Sequence, residues 1–318
     1  MKGNSLIKSS LIRMYLSKFR KSNCIYHSNE LSIPSMMKSV SFLLNNPKFN
    51  HYGDILFYIP LIIYLSKYMT CNVISCESQY KFLEFFLNKN ENINIIVETD
   101  QKIRHELIIT MPYLLYYNRK YHNKLIGLGL PNQSINESYP LYLTKQIFNK
   151  LKLEFNLHSY HDILTKMSKQ SCQSELCNNN IIDSDDSYIA VSPYLSSGKF
   201  RDLFKLKKNK ILTESLKAAD KTKSKLMLLG SDDDAEINIG NIKDLRGIEM
   251  SKLLAIMPCE NIIAGYGFDN IWMHYFDLIG KDYFTLYRGR YMPLNNYIHY
   301  NSINISFLSD IKSKNYIR

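Results

Sequence analysis

Hydrophobic and polar positions settle into a regular rhythm at residue 37. Val40 to Asn45 (VSFLLN) is a short apolar run of the kind that forms a buried strand. The loop NPKFNHYGD follows, and then an apolar stretch from Ile55 to about Tyr68 that reads as one buried helix. Next come a strand at Asn72 to Ser75, a helix at Gln79 to Leu87, and strands at Asn94 to Val97 and Glu106 to Thr110. A Tyr-rich helical stretch and the segment KLIGLG lead to residues 141–170, which read as helix. Ser171 to Ser187 is rich in Ser, Asn and Asp and poor in apolar residues, which marks a linker. The rhythm then restarts, with strands at Tyr188 to Ser192, Lys225 to Leu229, Asn261 to Ala264 and Phe284 to Tyr287. Helices fall between them near 209–221, from Met250 to Met257, and from 270. Strands alternating with helices imply parallel βαβ units. The expected fold class is therefore α/β, with Rossmann-like domains over 37–180 and 186–318. The default ligand site for two such domains is a crevice between them.

Residues 1–36 stand outside this rhythm and read as a basic N-terminal appendage. Ile7, Leu11, Met14, Tyr15 and Phe19 fall roughly on one side of a helix that would lie on an anionic membrane or on the protein's own surface. The first fifty residues hold eight Lys or Arg against Glu30 alone, which is most of the formal +11 of the whole chain. Membrane surfaces, nucleic acids and phosphorylated substrates all attract such a segment, and a solvated tail is the alternative. No recognition motif accompanies the charge, so nucleic acid is not an expected partner.

The apolar content of 45% excludes a disordered or fibrous chain. No run reaches the roughly 18 apolar residues of a membrane span. The longest, Ile55 to Leu65, contains Pro60. Leu11-Ile12 is followed at once by Arg13, so no signal-peptide core is expected. Six cysteines are too sparse for a disulfide scaffold, and the Cys71/Cys76 and Cys172/Cys177 spacings fit no common zinc pattern. Reduced thiols and a cytoplasmic location are the expectation.

Four segments could carry chemistry. Gly53-Asp54 ends a loop that runs from a strand into a helix; Asp54 there is either a general base or its helix's N-cap. Gly230-Ser-Asp-Asp-Asp-Ala-Glu236 follows a strand, where an acid can hold ribose hydroxyls or offset a helix dipole. The Asp232–Asp234 trio contains an Asp-x-Asp, read as nucleotide loop rather than metal clamp. Ser196-Ser197-Gly198-Lys199 is a small loop suited to phosphate oxygens. Residues 259–290 run strand, glycine-containing turn, Asp269-Asn270 helix start, then Gly280-Lys281-Asp282 and a last strand. His274 on that helix reads as a packing residue first, as do His158 and His161 on a surface helix. The tyrosines from Tyr113 to Tyr121 could stack a sugar, with helix packing the simpler reading.

Taken in order, these segments resemble the ADP-heptose lipopolysaccharide heptosyltransferases, glycosyltransferase family 9. The family's first loop ends Gly-Asp with a Pro six residues on, matched by Gly53-Asp54 and Pro60. Its late motif, D-T/S-G-x-x-H, is matched in part by Asp269-Asn-Ile-Trp-Met-His274, with Ile271 at the Gly position. Gly280-Lys281-Asp282 stands where the family has G-K-P, and DLRGIEMSKLLAIM matches its preceding stretch. The elements span residues 37–290.

The resemblance implies a GT-B fold, two Rossmann-like domains with parallel sheets facing across a crevice. It implies inverting transfer of a sugar, heptose in the family, from a nucleotide-diphosphate donor to a lipopolysaccharide core or other surface glycan. Asp54 would be the base on the acceptor hydroxyl. Ser196, Ser197 and Lys199 would contact the donor phosphate or sugar, Asp234 the ribose, and Met250 the base. Asp269 would stand beside the donor sugar, and Asn270 and Ile271 would give backbone amides to the diphosphate. No cofactor or metal is implied, because Lys199 and the helix start meet the leaving charge. A lipid-linked acceptor would put the enzyme at the inner face of the inner membrane. The alternatives are a nucleotide-sugar epimerase of the same fold and a non-catalytic glycan- or membrane-associated relative.

Overall fold

The computed structural model describes residues 19–22, 25–28, 37–44, 52–88, 90–97, 106–111, 114, 124–128, 137–172, 181–183, 185–194, 205–232, 234, 237, 242–268, 270–286 and 305–307. The chain divides into two compact units, 1–163 and 164–318.

Unit 1 holds strands β1 (Phe19–Ser22), β2 (Ile25–Ser28), β3 (Ser39–Leu43), β4 (Thr70–Ser75), β5 (Ile93–Val97), β6 (Ile108–Thr110) and β7 (Leu125–Leu128). They form one sheet in the order β1-β2-β7-β6-β3-β4-β5. The five strands β7, β6, β3, β4 and β5 run parallel. β1 and β2 pair antiparallel, and β2 extends the sheet by pairing antiparallel with β7.

The appendage expected over residues 1–36 is thus in part a sheet component. Its basic residues Arg20 and Lys21 lie on β1, the edge strand. Phe19 opens β1; the rest of the helix face expected from Ile7 onward lies outside the described residues.

Helices α1 (Tyr52–Leu56), α2 (Ile59–Leu65), α3 (Glu77–Leu87), α4 (Tyr139–Leu151) and α5 (Leu157–Cys172) complete the unit's elements, with α5 running across the division into unit 2. β3 is central and its run Val40, Ser41, Phe42, Leu43 is buried throughout, as a strand covered on both faces must be. The single helix expected from Ile55 to Tyr68 is two. Pro60 has no N–H to continue the α-helical ladder, so α1 closes at Leu56 and α2 restarts with Pro60 in its first turn. α2 is apolar on every side and buried accordingly. Its Tyr64 ring stacks on Phe148 at 4.5 Å, and its hydroxyl donates to the Asn156 carbonyl at 3.0 Å. The helix expected over 141–170 is also two, because Lys152 takes a left-handed φ of 54° that ends α4.

Unit 2 carries β8 (Tyr188–Ser192), α6 (Lys205–Thr222), β9 (Lys225–Leu228), β10 (Ile242–Asp244), α7 (Met250–Ile256), β11 (Ile262–Phe268), α8 (Ile271–Leu278), β12 (Tyr283–Leu286) and β13 (Ile305–Phe307). The sheet order is β10-β9-β8-β11-β12-β13, parallel at every pairing. One face packs Ile189, Val191, Leu226, Tyr266 and Leu286 against Ile211 and Ala219 of α6. α8 ends in a Schellman turn, with the Lys281 amide on the Phe276 carbonyl and the Gly280 amide on that of Asp277. Gly280 supplies the left-handed φ of 74° this turn requires. Lys281 of the Gly-Lys-Asp segment donates its ammonium to the carbonyls of Cys259 and Ile262, tying two turns together.

The expectation of reduced thiols is corrected at Cys259, which is disulfide-bonded. Cys71 and Cys76 are free, and burial pushes the Cys71 thiol up to about 12, so it stays protonated and inert. Among the described residues no helix is long and apolar enough to cross a membrane.

Candidate functional site

In unit 2 the strand order reverses between β8 and β11: β9 and β10 extend the sheet on one side, β12 and β13 on the other. In open parallel sheets ligands bind outside the carboxyl ends of the strands at that reversal. β8 ends there at Ser192, a polar residue closing an otherwise apolar strand. β11 ends at Phe268, and α8 begins at Ile271 with Asn270 as its N-cap.

Asn270 holds this junction. Its Oδ1 accepts from the Trp272 amide at 3.0 Å, and its Nδ2 donates to Ser192 Oγ at 2.9 Å. The Tyr283 hydroxyl donates to the Phe268 carbonyl at 3.2 Å and lies 3.4 Å from Asn270 Oδ1. Glycine is what admits that phenol. A Cβ on Gly267 would sit 2.3 Å from the Tyr283 hydroxyl oxygen and 2.7 Å from the Ser192 carbonyl oxygen. The remaining first-turn amides of α8 have no carbonyl within the helix to bond, and they carry the positive end of its dipole.

One strand away, the Gly230–Asp234 turn closes on itself. Asp234 Oδ2 accepts from the Ser231 amide at 2.7 Å and the Ser231 hydroxyl at 3.0 Å. The turn after β10 lies against it, with the Gly247 amide on the Gly230 carbonyl at 3.1 Å. Gly247 takes φ 72°, and a Cβ there would overlap the Asp232 carboxylate. Arg246 forks onto Asp244 at 2.9 and 2.6 Å and also donates to the Asp234 carbonyl. The guanidinium beside it holds the Asp244 carboxyl below the usual range. Tyr194, two residues beyond β8, packs its ring on Gly230, and burial pushes its hydroxyl up to about 12. Met250 is the first residue of α7, half-buried.

The expected residues divide cleanly. Asn270 and Ile271 lie at the reversal, and Asp234 and Met250 follow β9 and β10 of the same sheet. Asp269, Ser196, Ser197 and Lys199 lie outside the described residues, as do Tyr113 and residues 115–121. Asp54 is in unit 1, half-buried in the first turn of α1. The N-cap alternative does not describe it, since α1 starts two residues earlier. Tyr52 anchors that start through its hydroxyl on the Ser78 carbonyl at 2.7 Å and its ring 5.0 Å from Phe82. Burial, then the Cys76 thiol, raises the Tyr52 pKa. His274 is buried on α8, and His158 is exposed 3.8 Å from Asp162. Among the described residues no group of His, Cys, Asp and Glu could hold a metal ion. Ser192, Gly267, Tyr283, Tyr194 and Arg246 escaped the sequence reading. Gly265 and Gly267, two apart within one strand, were the available signal of a close approach.

Neither a family model nor a curated protein matches the sequence. Solved structures do match the fold. A glycosyl transferase of family 9 from Veillonella parvula DSM 2008 superposes with a TM-score of 0.54 at 11% identity, over 85% of this chain and 86% of that one. The E. coli heptosyltransferase WaaC with ADP gives 0.51 at 8% identity, over 85% and 92%. The fold is of the GT-B type.

Proposed function

We propose that this chain is an inverting glycosyltransferase, a divergent relative of family 9, that takes its sugar from a nucleotide diphosphate. The observation that carries the reading is the Asn270–Ser192 junction. It fixes a helix N-terminus at the strand reversal of a fully parallel sheet, an arrangement suited to an anionic phosphate group. The solved heptosyltransferase of similar fold holds ADP.

The donor diphosphate would meet the first-turn amides of α8 and Lys199, with Ser196 and Ser197 nearby. Asp269 would face the sugar, Asp234 the ribose and Met250 the base. Asp54 would take the proton from the acceptor hydroxyl as its oxygen attacks the anomeric carbon. The bond from that carbon to the diphosphate oxygen then breaks, and the negative charge passes to the departing nucleotide, where fixed donors stabilise it. The acceptor would be a lipopolysaccharide core or other surface glycan, reached from the cytoplasmic face of the membrane. Basic residues of the N-terminal segment would favour an anionic surface.

A thermal-shift series against nucleoside diphosphates and nucleotide sugars tests this, run on wild type, Asp54→Ala and Asp234→Ala. Ligand at 100 times its Kd adds about 2.7 kcal/mol. A donor should raise the melting point of wild type and Asp54→Ala, and much less that of Asp234→Ala. If no nucleotide shifts the wild type, the reading is wrong.

A further inference from the structure

In unit 1 two buried polar groups without partners flank one position. β4 ends at Ser75, which is fully buried and whose hydroxyl has no hydrogen-bond partner among the described residues. Gln79, in the first turn of α3, is also fully buried, and its Nε2 is likewise unpartnered. The Gln79 carboxamide is folded back on the helix start, since its Oε1 accepts from the Cys76 amide at 3.5 Å. Nε2 belongs to the same planar group, so it stands at that start as well. Neither group serves the fold. Alanine would suffice at position 75, and a capping box uses only the oxygen of its N3 side chain. An unmatched buried donor costs stability, so a ligand oxygen that met it would be bound with advantage.

Cys76 lies between them as the N-cap of α3, half-buried, with its Sγ 3.2 Å from the hydroxyl of the exposed Ser78. The corner therefore reaches the surface. It stands at the carboxyl end of a strand parallel to both its neighbours, the edge where such sheets take ligands. Tyr52 ties it to α1 by donating its hydroxyl to the Ser78 carbonyl at 2.7 Å, and Asp54 follows in the same first turn. The corner's hydroxyl, thiol and amide groups are neutral, and Glu77 is the one charged side chain in the first turn of α3. That carboxylate would repel an anion. A neutral sugar ring offers oxygens to the unmatched donors and hydroxyl hydrogens to the carboxylate.

We propose that the corner formed by Ser75, Cys76, Ser78 and Gln79 is a subsite for an uncharged sugar ring of the acceptor, held beside Asp54. This deepens the acceptor half of the reading above and rests on it. The test is NMR titration of wild type, Ser75→Ala and Gln79→Met with the methyl glycosides of glucose, galactose and mannose, and with glucuronate and galacturonate as charged counterparts. ADP and UDP are titrated in parallel. At least one neutral glycoside should bind wild type and slow the alkylation of Cys76 by iodoacetamide, followed by peptide mapping. Both variants should bind it about tenfold more weakly, the scale of one lost hydrogen bond. Ser75→Ala should melt no lower than wild type, and Gln79→Met, which loses only a long cap bond, close to it. Side chains that merely pack would move the melting point and leave glycoside affinity alone. If neither variant weakens binding, or the uronates bind wild type better than the neutral glycosides, the subsite falls. It falls too if wild type binds none of the glycosides, and binding of ADP or UDP by that same protein would leave the donor reading standing. If glycosides bind and no nucleoside diphosphate does, the transferase reading falls with the acceptor role, and sugar binding at the corner stands.

Discussion

The two units reverse their strand order in the same way but finish the reversal with different chemistry. In unit 1 the reversal lies between β3 and β6, and the Thr110 hydroxyl, fully buried, donates to the Leu43 carbonyl at 2.6 Å. That hydroxyl is spent inside the sheet. In unit 2 the hydroxyl at the reversal stands on the earlier strand, Ser192 at the end of β8, and it receives a bond from the N-cap of α8. One reversal is sealed by a neutral backbone contact; the other displays a fixed helix start. A parallel sheet therefore offers a ligand position by topology alone, and the side chains at its strand ends decide whether anion-binding groups stand there. In unit 1 the proposed chemistry rests on Asp54, in the first turn of α1.

The largest test of that division of labour is Asp54→Asn. If unit 1 supplies only the base, transfer should fall by about 100-fold to 10,000-fold, the usual contribution of a positioned proton acceptor. Nucleotide affinity should hold. The assay is release of nucleoside diphosphate from a donor identified in the thermal-shift series; a variant that turns over normally would remove Asp54 from the mechanism.

Gly267→Ala probes the other side. The new methyl would meet a backbone oxygen of β8 at 2.7 Å and the Tyr283 hydroxyl oxygen at 2.3 Å. The first of these cannot swing away. Overpacking of this kind costs about 1–3 kcal/mol, and denaturant unfolding would measure it. Because the clash bears on Ser192 and Tyr283 together, diphosphate binding should weaken as well. Unchanged stability would mean that β8 and β11 can part easily, and that the junction is less rigid than its hydrogen bonds imply.

Legibility in the sequence followed the physics of each region. Tyr188 to Ser192 was found to the residue, because an apolar run between turn signals has few other solutions. The breaks at Tyr58 and Lys152 were missed: apolar periodicity runs through both, and only Pro60 and a left-handed backbone reveal the interruption. β1 and β2 were missed because what joins them to the sheet is the pairing of β2 with β7, about a hundred residues away, while Arg20 and Lys21 suggested a tail. At the site, Asn270 was legible as a helix start, but its partner was not. Nothing in the local sequence of Ser192 points to a residue 78 positions later. Arg246 was hidden for the same reason, since its fork onto Asp244 is local but its bond to the Asp234 carbonyl is not.

The smallest effect separates the two reversals by pH. The Thr110–Leu43 bond does not titrate, whereas in unit 2 the edge strand β10 ends on Asp244, held below its ordinary pKa first by its hydrogen bond to Arg246. A carboxyl whose pKa is lowered by folding stabilises the native state above its unfolded value, about 3.9, and loses that contribution as pH falls through the lower folded value. Asp183 shifts in the same direction, through Tyr188 and Lys243, so Asp244 accounts for only part of the slope. The Asp244 side chain is about half exposed, and solvent screening keeps its share small. Melting points recorded from neutral pH down to about pH 3, across the carboxyl range, should fall less steeply for Asp244→Asn than for wild type. Salt should narrow the gap. Parallel curves for the two proteins would mean that the Arg246 fork onto Asp244 contributes nothing to the stability of unit 2.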